Sequence, residues 1–192
     1  MLKFKTGRLT DLQYQPYYRR FQIEDNQRKQ KDLVGRILLA KLMDLPEDAL
    51  LDDDEFTTIA NGKPLFAKRT TAFNISHSAD LVLVAISDRP LGVDVEKVKP
   101  VQLKRLKRAF TVAELAYLEK LPAARQSLTM LRLWTVKEAV LKETGAGLPG
   151  KPWTVSVNVP RMDVAEQHGQ RFAINFLAIH EDYLGTMAQK IE

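Results

Sequence analysis

Residues 81–96 read LVLVAISDRPLGVDVE, and they contain two of the strands that define the fold. The first part, LVLVAIS, is a continuous apolar run of a length typical of a strand buried on both faces. DRPLG is a turn, and VDVEKV follows as a second strand that we expect to form a hairpin with the first.

The second strand carries two carboxylates, at Asp94 and Glu96. Alternate side chains of a strand share a face, so the two acids project together while Val93 and Val95 face the other way. Two like charges this close are unfavourable unless a lysine or arginine, water or a divalent cation accompanies them. On this stretch alone, a solvated strand face explains the two acids somewhat better than a metal site does.

The composition restricts the class of protein. The chain has 192 residues, 45% of them hydrophobic, a formal net charge of +5 and no cysteine. A disulfide framework and a thiolate metal site are therefore excluded. The apolar runs are too short to span a bilayer, and the first residues lack the apolar core of a signal peptide, so we expect a cytoplasmic protein without a membrane segment.

Other patterns predict an α+β fold, in which helices and strands are partly segregated. Residues 27–43 have the period of an amphipathic helix, Asn61-Gly62 is a turn dipeptide, and TAFNIS is a strand. Residues 101–110 and 126–144 read as helices, and between them Thr111 and Glu114 have capping-box spacing. Gly145 or Gly147 can end the last helix before Pro149, and the remaining chain alternates as strands do.

Two further stretches contain residues capable of chemistry. In FNISHS, Ser76 and His77 can both donate hydrogen bonds to phosphate oxygens, although a turn with local bonds explains them equally. In WTVKEAVLKETGAGL, helical spacing puts Trp134, Glu138 and Lys142 on one face, where the two charged residues can also be a simple surface ion pair.

Considered together, these stretches predict one site. Oxygen ligands from Asp94, Glu96 and Glu138 suit Mg²⁺, which completes its shell with water and substrate phosphates. Phosphate groups would be held by cationic and hydroxyl side chains, namely Lys63, Lys137, Lys142, Ser76 and His77.

NGKPLF, FNISHS, GVDVE and WTVKEAVLKETGAGL, in that order within residues 61–148, resemble the 4'-phosphopantetheinyl transferases. They are similar to the surfactin-synthetase-activating type, which has two similar halves in one chain. The resemblance implies transfer of the 4'-phosphopantetheine arm of coenzyme A to a serine hydroxyl of an acyl or peptidyl carrier protein. Adenosine 3',5'-bisphosphate would be released.

The resemblance also implies the role of each site residue. Asp94, Glu96 and Glu138 would bind Mg²⁺. The coenzyme A contacts would be Lys31, Lys63, Ser76, His77 and Lys142, with Arg28 as a further partner of Lys31. Glu138 would accept the proton of the serine, directly or through a water held by the metal, and Lys142 would stabilise the leaving phosphate.

The implied fold has two α+β halves related by a pseudo-twofold axis, with the active site at their seam. The N-terminal half would be residues 1–90, which bind coenzyme A. The C-terminal half would be residues 91–192, which carry the metal-binding carboxylates and the carrier-facing helices. One chain then supplies both halves of the site, so we expect a monomer.

The basic cluster Lys104, Arg105, Lys107 and Arg108 could attract an acidic carrier protein, although a solvated helix face explains it nearly as well. Two alternatives remain for the function. One is a different Mg²⁺-dependent transferase acting on a phosphoester or nucleotide. The other is a non-catalytic basic domain that binds RNA or an acidic protein, although aromatic side chains are not interleaved with the basic clusters as nucleic-acid binding requires.

Overall fold

A computed structural model describes residues 2–51, 54, 56–58, 63–145 and 151–191, with Thr58 and Arg105 described in their backbone only. The helices are α1 (Gln15–Phe21), α2 (Gln27–Leu42), α3 (Leu103–Leu106), α4 (Val112–Glu119) and α5 (Ala123–Glu143). The strands are β1 (Lys3–Arg8), β2 (Phe56–Thr58), β3 (Pro64–Phe66), β4 (Ala72–Ser78), β5 (Leu81–Ser87), β6 (Gly92–Lys97), β7 (Val155–Val157), β8 (Val164–Gln167), β9 (Gln170–Leu177) and β10 (Tyr183–Lys190). This mixture confirms the α+β class.

The strands form two main antiparallel sheets. The first has the order β1-β5-β4 and the second β6-β10-β9-β8-β7, while β2 and β3 form a separate pair. The helix α2 packs on β1 and β5, and α5 packs on β6 and β10. Each main sheet therefore has one long helix against it.

β5 is buried at every position, as its continuous apolar sequence predicts. Val82, Val84 and Ile86 pack in the same core as α2. Leu83 and Ala85 point the other way and join Val93 and Val95 of β6 in a core between the two sheets. Both faces of β5 therefore lie in apolar cores, whereas β6 contributes to a core only through the face that carries Val93 and Val95.

The expected hairpin between β5 and β6 is wrong. Both edges of β5 are already paired, with β1 on one side and β4 on the other, and β6 pairs with β10 instead. The turn between the two strands therefore leads from one sheet to the next.

The helices largely match the sequence pattern. α2 begins at Gln27 as expected, after Asn26, whose side chain accepts from the Lys29 N–H. The capping box of Thr111 and Glu114 is present, and Gly145 has the left-handed φ of 71° expected beyond α5. The Asn61-Gly62 turn, Gly147 and Pro149 lie outside the described residues.

The single helix expected over residues 101–110 is wrong. α3 spans one turn, followed by a 3₁₀ turn at Lys107–Ala109. Phe110 then becomes extended, with φ −104° and ψ 146°. This extension places Thr111 in the non-helical conformation that an N-cap requires, so the chain has to leave the helix before it. In the described parts of the chain, no helix has the length and apolarity needed to cross a membrane.

Candidate functional site

The candidate site lies where β4 and β6 run beside each other and α5 packs over β6. Asp94 is 4% exposed and Glu138 is 5% exposed, whereas Glu96 is half-buried. Lys142, one turn after Glu138 on α5, reaches Asp94 Oδ1 with its Nζ at 2.6 Å. The structure therefore brings residues from three separate stretches of sequence into one place.

Ser76 connects this lysine and carboxylate. Its Oγ accepts from Lys142 Nζ at 2.8 Å and donates to Asp94 Oδ1 at 3.0 Å. It also accepts from the Val95 N–H at 3.2 Å, so the hydroxyl is fully engaged. Ser76 is buried, and its role in binding coenzyme A stays a prediction.

Two carboxylate oxygens at this site are buried and have no hydrogen-bond partner, namely Asp94 Oδ2 and Glu138 Oε1. A buried charged oxygen without a partner is costly, and a bound cation or an ordered water would satisfy such an atom. Burial raises the pKa of Asp94 above its usual range, against the effect of Lys142. Burial, followed by the charge of Asp94, raises the pKa of Glu138 to about 7.

These residues fit a hard divalent cation in their chemistry, because carboxylate oxygens are its preferred ligands. Among the described residues, no group of three or more acidic, histidine or cysteine side chains is already arranged to hold a metal ion. One oxygen of Asp94 is held by Lys142 and Ser76, and Glu96 Oε2 accepts from Ser78 Oγ at 2.7 Å. The Mg²⁺ assignment therefore stays a prediction that the unpartnered oxygens support.

Two lysines from different helices act on His77 of β4. His77 is exposed and faces away from buried Ser76, as adjacent strand residues do. Partial loss of hydration lowers the pKa of His77, and the charges of Lys31 on α2 and Lys142 on α5 lower it further. Lys31 and Lys142 therefore each lie within electrostatic reach of His77.

Lys63 has a different environment from the one expected. Its Nζ donates to the Leu91 carbonyl at 3.2 Å and to the Glu143 carbonyl at 3.1 Å. Burial lowers its pKa, and Glu143 partly opposes this effect. Lys63 thus links the start of β6 to the end of α5, and its contact with coenzyme A stays a prediction.

The expectation that Lys137 holds phosphate is wrong. Its side chain is fully buried and forms an ion pair with Glu114 at 2.8 Å. It also donates to the carbonyls of Pro152 and Val155. Burial lowers the pKa of Lys137, and Glu114 opposes the shift. This lysine joins α5 to α4 and to the start of β7, and no ligand can reach it.

Sequence reasoning did not identify Asn74 and Ser78. Both lie on β4 on the same face as Ser76, and both accept from backbone N–H groups of β6. The sequence contained a signal for them, because polar residues occupy every second position of FNISHS and so share one strand face. The acids of GVDVE alternate in the same way.

A cleft of about 460 Å³ opens beside Glu96. Its walls come from the segment after β6, from α3 and from α5, and include Lys99, Leu106 and Trp134. The acidic end of β6 is therefore accessible from this side.

The arrangement defines an α+β protein in which a strand acid forms an ion pair with a helix lysine, beside a second buried acid on the same helix. A family model of the 4'-phosphopantetheinyl transferase superfamily matches residues 90–189, and the chain belongs to this superfamily.

Individual relatives agree with this assignment. The 4'-phosphopantetheinyl transferase psf-1 of Bacillus pumilus is 35% identical over 119 residues, which cover 62% of this chain and 51% of the relative. Sfp of Bacillus subtilis (strain 168) is 34% identical over 119 residues, or 62% of this chain and 53% of the relative. The 4'-phosphopantetheinyl transferase gsp of Aneurinibacillus migulanus is 28% identical over 152 residues, which cover 77% of this chain and 61% of the relative. The chain spans about half the length of the first two.

Proposed function

We propose that this chain transfers the 4'-phosphopantetheine arm of coenzyme A to a serine hydroxyl of an acyl or peptidyl carrier protein. The observation that carries the proposal is the group of Asp94, Glu138 and Lys142, with two buried carboxylate oxygens that lack partners. Membership of the superfamily and the names of the relatives support this reaction.

In this proposal the residues divide the chemistry among them. Asp94, Glu96 and Glu138 would hold Mg²⁺, which supplies charge neutralisation at the pyrophosphate when bound. Lys142, Lys31 and His77 would hold phosphate oxygens, and the effect of both lysine charges on His77 supports this role. Lys63 and Ser76 are proposed as further contacts through their positions in the sequence motifs.

The reaction needs a base, because a serine hydroxyl is a weak nucleophile. Glu138 would accept the serine proton while the serine oxygen forms a bond to phosphorus. The bond from phosphorus to the adenosine 3',5'-bisphosphate oxygen breaks, and Lys142 would stabilise the charge on that leaving group. Without a cation, burial and Asp94 raise the pKa of Glu138 to about 7, and a bound Mg²⁺ would lower it and favour the ionised form that accepts a proton.

We further propose that the chain consists of two similar halves, residues 1–90 and 91–192, with the site at their seam. Corresponding connections support this division. In the first sheet β1 pairs with β5 of the β4-β5 hairpin, and in the second β6 pairs with β10 of the β9-β10 hairpin. α2 packs on β1 and β5 as α5 packs on β6 and β10.

The carrier would approach from the cleft beside Glu96, close to the basic segment before α4. Lys104 and Arg108 are exposed there, and the side chain of Arg105 lies outside the described residues. An acidic carrier would gain mainly in association rate from these charges. A monomeric state and a cytoplasmic location remain predictions.

Mass spectrometry of an apo carrier protein incubated with the chain, coenzyme A and Mg²⁺ tests the function. We expect a mass gain of one phosphopantetheine arm. Glu138→Gln should abolish the gain, and Glu166→Gln on the exposed face of β8 should leave it unchanged. No gain on fatty acid, polyketide or peptide carriers would contradict the proposal and favour another phosphoester substrate.

A further inference from the structure

β4 and β6 lie side by side without a backbone ladder between them. β4 pairs only with β5, and β6 pairs only with β10, within the described strands. The backbone N–H groups on the open edge of β6 nevertheless have acceptors. Val93 N–H donates to Asn74 Oδ1 at 2.8 Å, and the next two on this edge, at Val95 and Lys97, donate to serine hydroxyls at 3.2 Å each.

The two hydroxyls that complete this edge are Ser76 and Ser78, and each also donates to a carboxylate. Ser76 Oγ donates to Asp94 Oδ1 at 3.0 Å, and Ser78 Oγ donates to Glu96 Oε2 at 2.7 Å. Ser76 also accepts from the N–H of Val95, the residue after Asp94. Ser78 likewise accepts from the N–H of Lys97, the residue after Glu96. The repeat follows from two neighbouring strands that both place every second side chain on the same face.

A hydroxyl has a single hydrogen and two lone pairs. Because the N–H of Lys97 occupies a lone pair of Ser78, the Ser78 hydrogen can be directed to Glu96. The bond fixes Oε2 of this long, half-buried side chain. In the described residues no bond to Glu96 Oε1 is seen, so this oxygen remains available to a ligand.

We propose that Ser78 is a positioning residue that holds Glu96 in the orientation required to bind a divalent cation. This inference rests on the proposed assignment of Asp94, Glu96 and Glu138 as metal ligands. Ser76 acts in the same way on Asp94, but its predicted contact with coenzyme A makes Ser78 the cleaner test. Hydrogen bonds to metal ligands set the ligand's orientation, and their loss costs about 10–100-fold in metal affinity.

The test measures binding of Mn²⁺ alone to the full chain, by electron paramagnetic resonance of the free ion. Ser78→Ala should weaken Mn²⁺ binding about tenfold, and Ser78→Thr, which keeps the hydroxyl, should restore it. Ser156→Ala provides a matched control, since Ser156 is an exposed serine on β7 of the same sheet as β6. In the transfer assay, Ser78→Ala should raise the Mg²⁺ concentration for half-maximal rate, while kcat at saturating Mg²⁺ changes little.

A second variant protects the test against a loss of folding, which circular dichroism would reveal. Ser78→Cys keeps the shape of the side chain and replaces the hydroxyl with a weak donor, so it should also weaken Mn²⁺ binding. In a Glu96→Gln background, Ser78→Ala should cause no further loss, because the group that it positions is already changed.

The failures are distinguishable. If the unmodified chain binds Mn²⁺ and Ser78→Ala binds it equally well, the positioning role of Ser78 is overturned and the proposed function stands. If the unmodified chain does not bind Mn²⁺ and its transfer reaction needs no divalent cation, the metal assignment fails and this inference fails with it.

Discussion

Asp94 and Glu138 are both buried acids, but their side chains have different surroundings. Asp94 has a charged partner in Lys142 and a hydroxyl partner in Ser76, whereas the Oε1 of Glu138 has none. A charge that is buried without a partner destabilises the folded state. The pKa values of both acids are raised, so removing either charge should relieve the folded state, and the gain should be larger for Glu138 because Asp94 also pairs with Lys142.

In the presence of EDTA at about pH 8, Glu138→Gln should raise the free energy of unfolding by about 1 kcal/mol, equivalent to a Tm increase of about 2–4 °C. Asp94→Ala should raise the Tm by less, because it removes a buried charge and also leaves Lys142 without its carboxylate. Added Mg²⁺ should then raise the Tm of the unmodified chain more than that of Glu138→Gln. Differential scanning calorimetry with Glu166→Gln as the control measures all three. A lower Tm for Glu138→Gln in EDTA would show that Glu138 has a stabilising partner.

The position of β6 against α5 depends on the absence of a side chain at Gly92. A Cβ atom built there would lie 2.0 Å from the Ala139 carbonyl oxygen and 2.4 Å from the Glu143 nitrogen. These are backbone atoms of α5 and cannot rotate away. The close contact therefore determines how near Asp94, two residues further along β6, comes to Lys142.

Gly92→Ala should force β6 away from α5 and cost about 3 kcal/mol or more, at the upper end of overpacking effects. Gly185→Ala on the neighbouring strand β10 is the matched control. A Cβ atom added at Gly185 would have Cδ1 of Ile179 as its nearest neighbour, at 2.9 Å, and this atom is the far end of a flexible side chain. We expect a cost of about 1 kcal/mol or less there. Urea unfolding of both variants gives the comparison, and equal losses would contradict the close contact at Gly92.

The sequence predicted elements whose formation depends on local interactions. α2 follows from periodicity, β5 from its continuous apolar run, the capping box of α4 from Thr111 and Glu114, and the end of α5 from Gly145. Each of these signals lies within a few residues of the structure it specifies.

Features that depend on distant residues could not be predicted in this way. The pairing of β6 with β10 joins residues about 90 positions apart, and no local signal distinguishes it from a hairpin with β5. Lys137 has the same local context as a surface lysine, and its burial depends on Glu114 and on the start of β7. The motifs indicated that Asp94, Glu138 and Lys142 belong together, but the bonds from β4 that hold β6 emerged only from the packing of the two strands.

The two sheets are also joined at one end by a set of three side chains. Asp80 lies in the turn between β4 and β5, accepts from Arg8 Nη1 of β1 at 3.1 Å, and accepts from the hydroxyl of Tyr183 of β10. The guanidinium of Arg8 lies 5.7 Å from the centre of the Tyr183 ring. This set connects the first sheet to the second near Ser78 and should contribute to the stability of the whole molecule.

Tyr183→Phe keeps the buried ring and removes only the hydroxyl, so it should lower the free energy of unfolding by about 1 kcal/mol near neutral pH. The hydrogen bond from Tyr183, then a backbone hydrogen bond at Asp80 and then Arg8, lower the pKa of Asp80 below its ordinary value. Stability from this carboxylate is therefore present above the ordinary aspartate pKa and is lost as the pH falls through the lowered value. Burial and Asp80 raise the pKa of Tyr183 to about 12. The neutral hydroxyl therefore contributes its full stability below the ordinary tyrosine pKa, and this stability is lost as the pH rises through about 12.

The difference in stability between the unmodified chain and Tyr183→Phe should thus be constant between about pH 5 and pH 8 and should shrink toward about pH 3. Urea unfolding at each pH measures it, and Tyr117→Phe, on the half-buried face of α4, controls for the loss of a tyrosine hydroxyl elsewhere. Asp80→Asn should remove most of the same pH dependence, because the titrating carboxylate is then absent. A difference of the same size at about pH 3 and about pH 7 would mean that the Tyr183 hydroxyl stabilises the junction of the two sheets without the charge of Asp80.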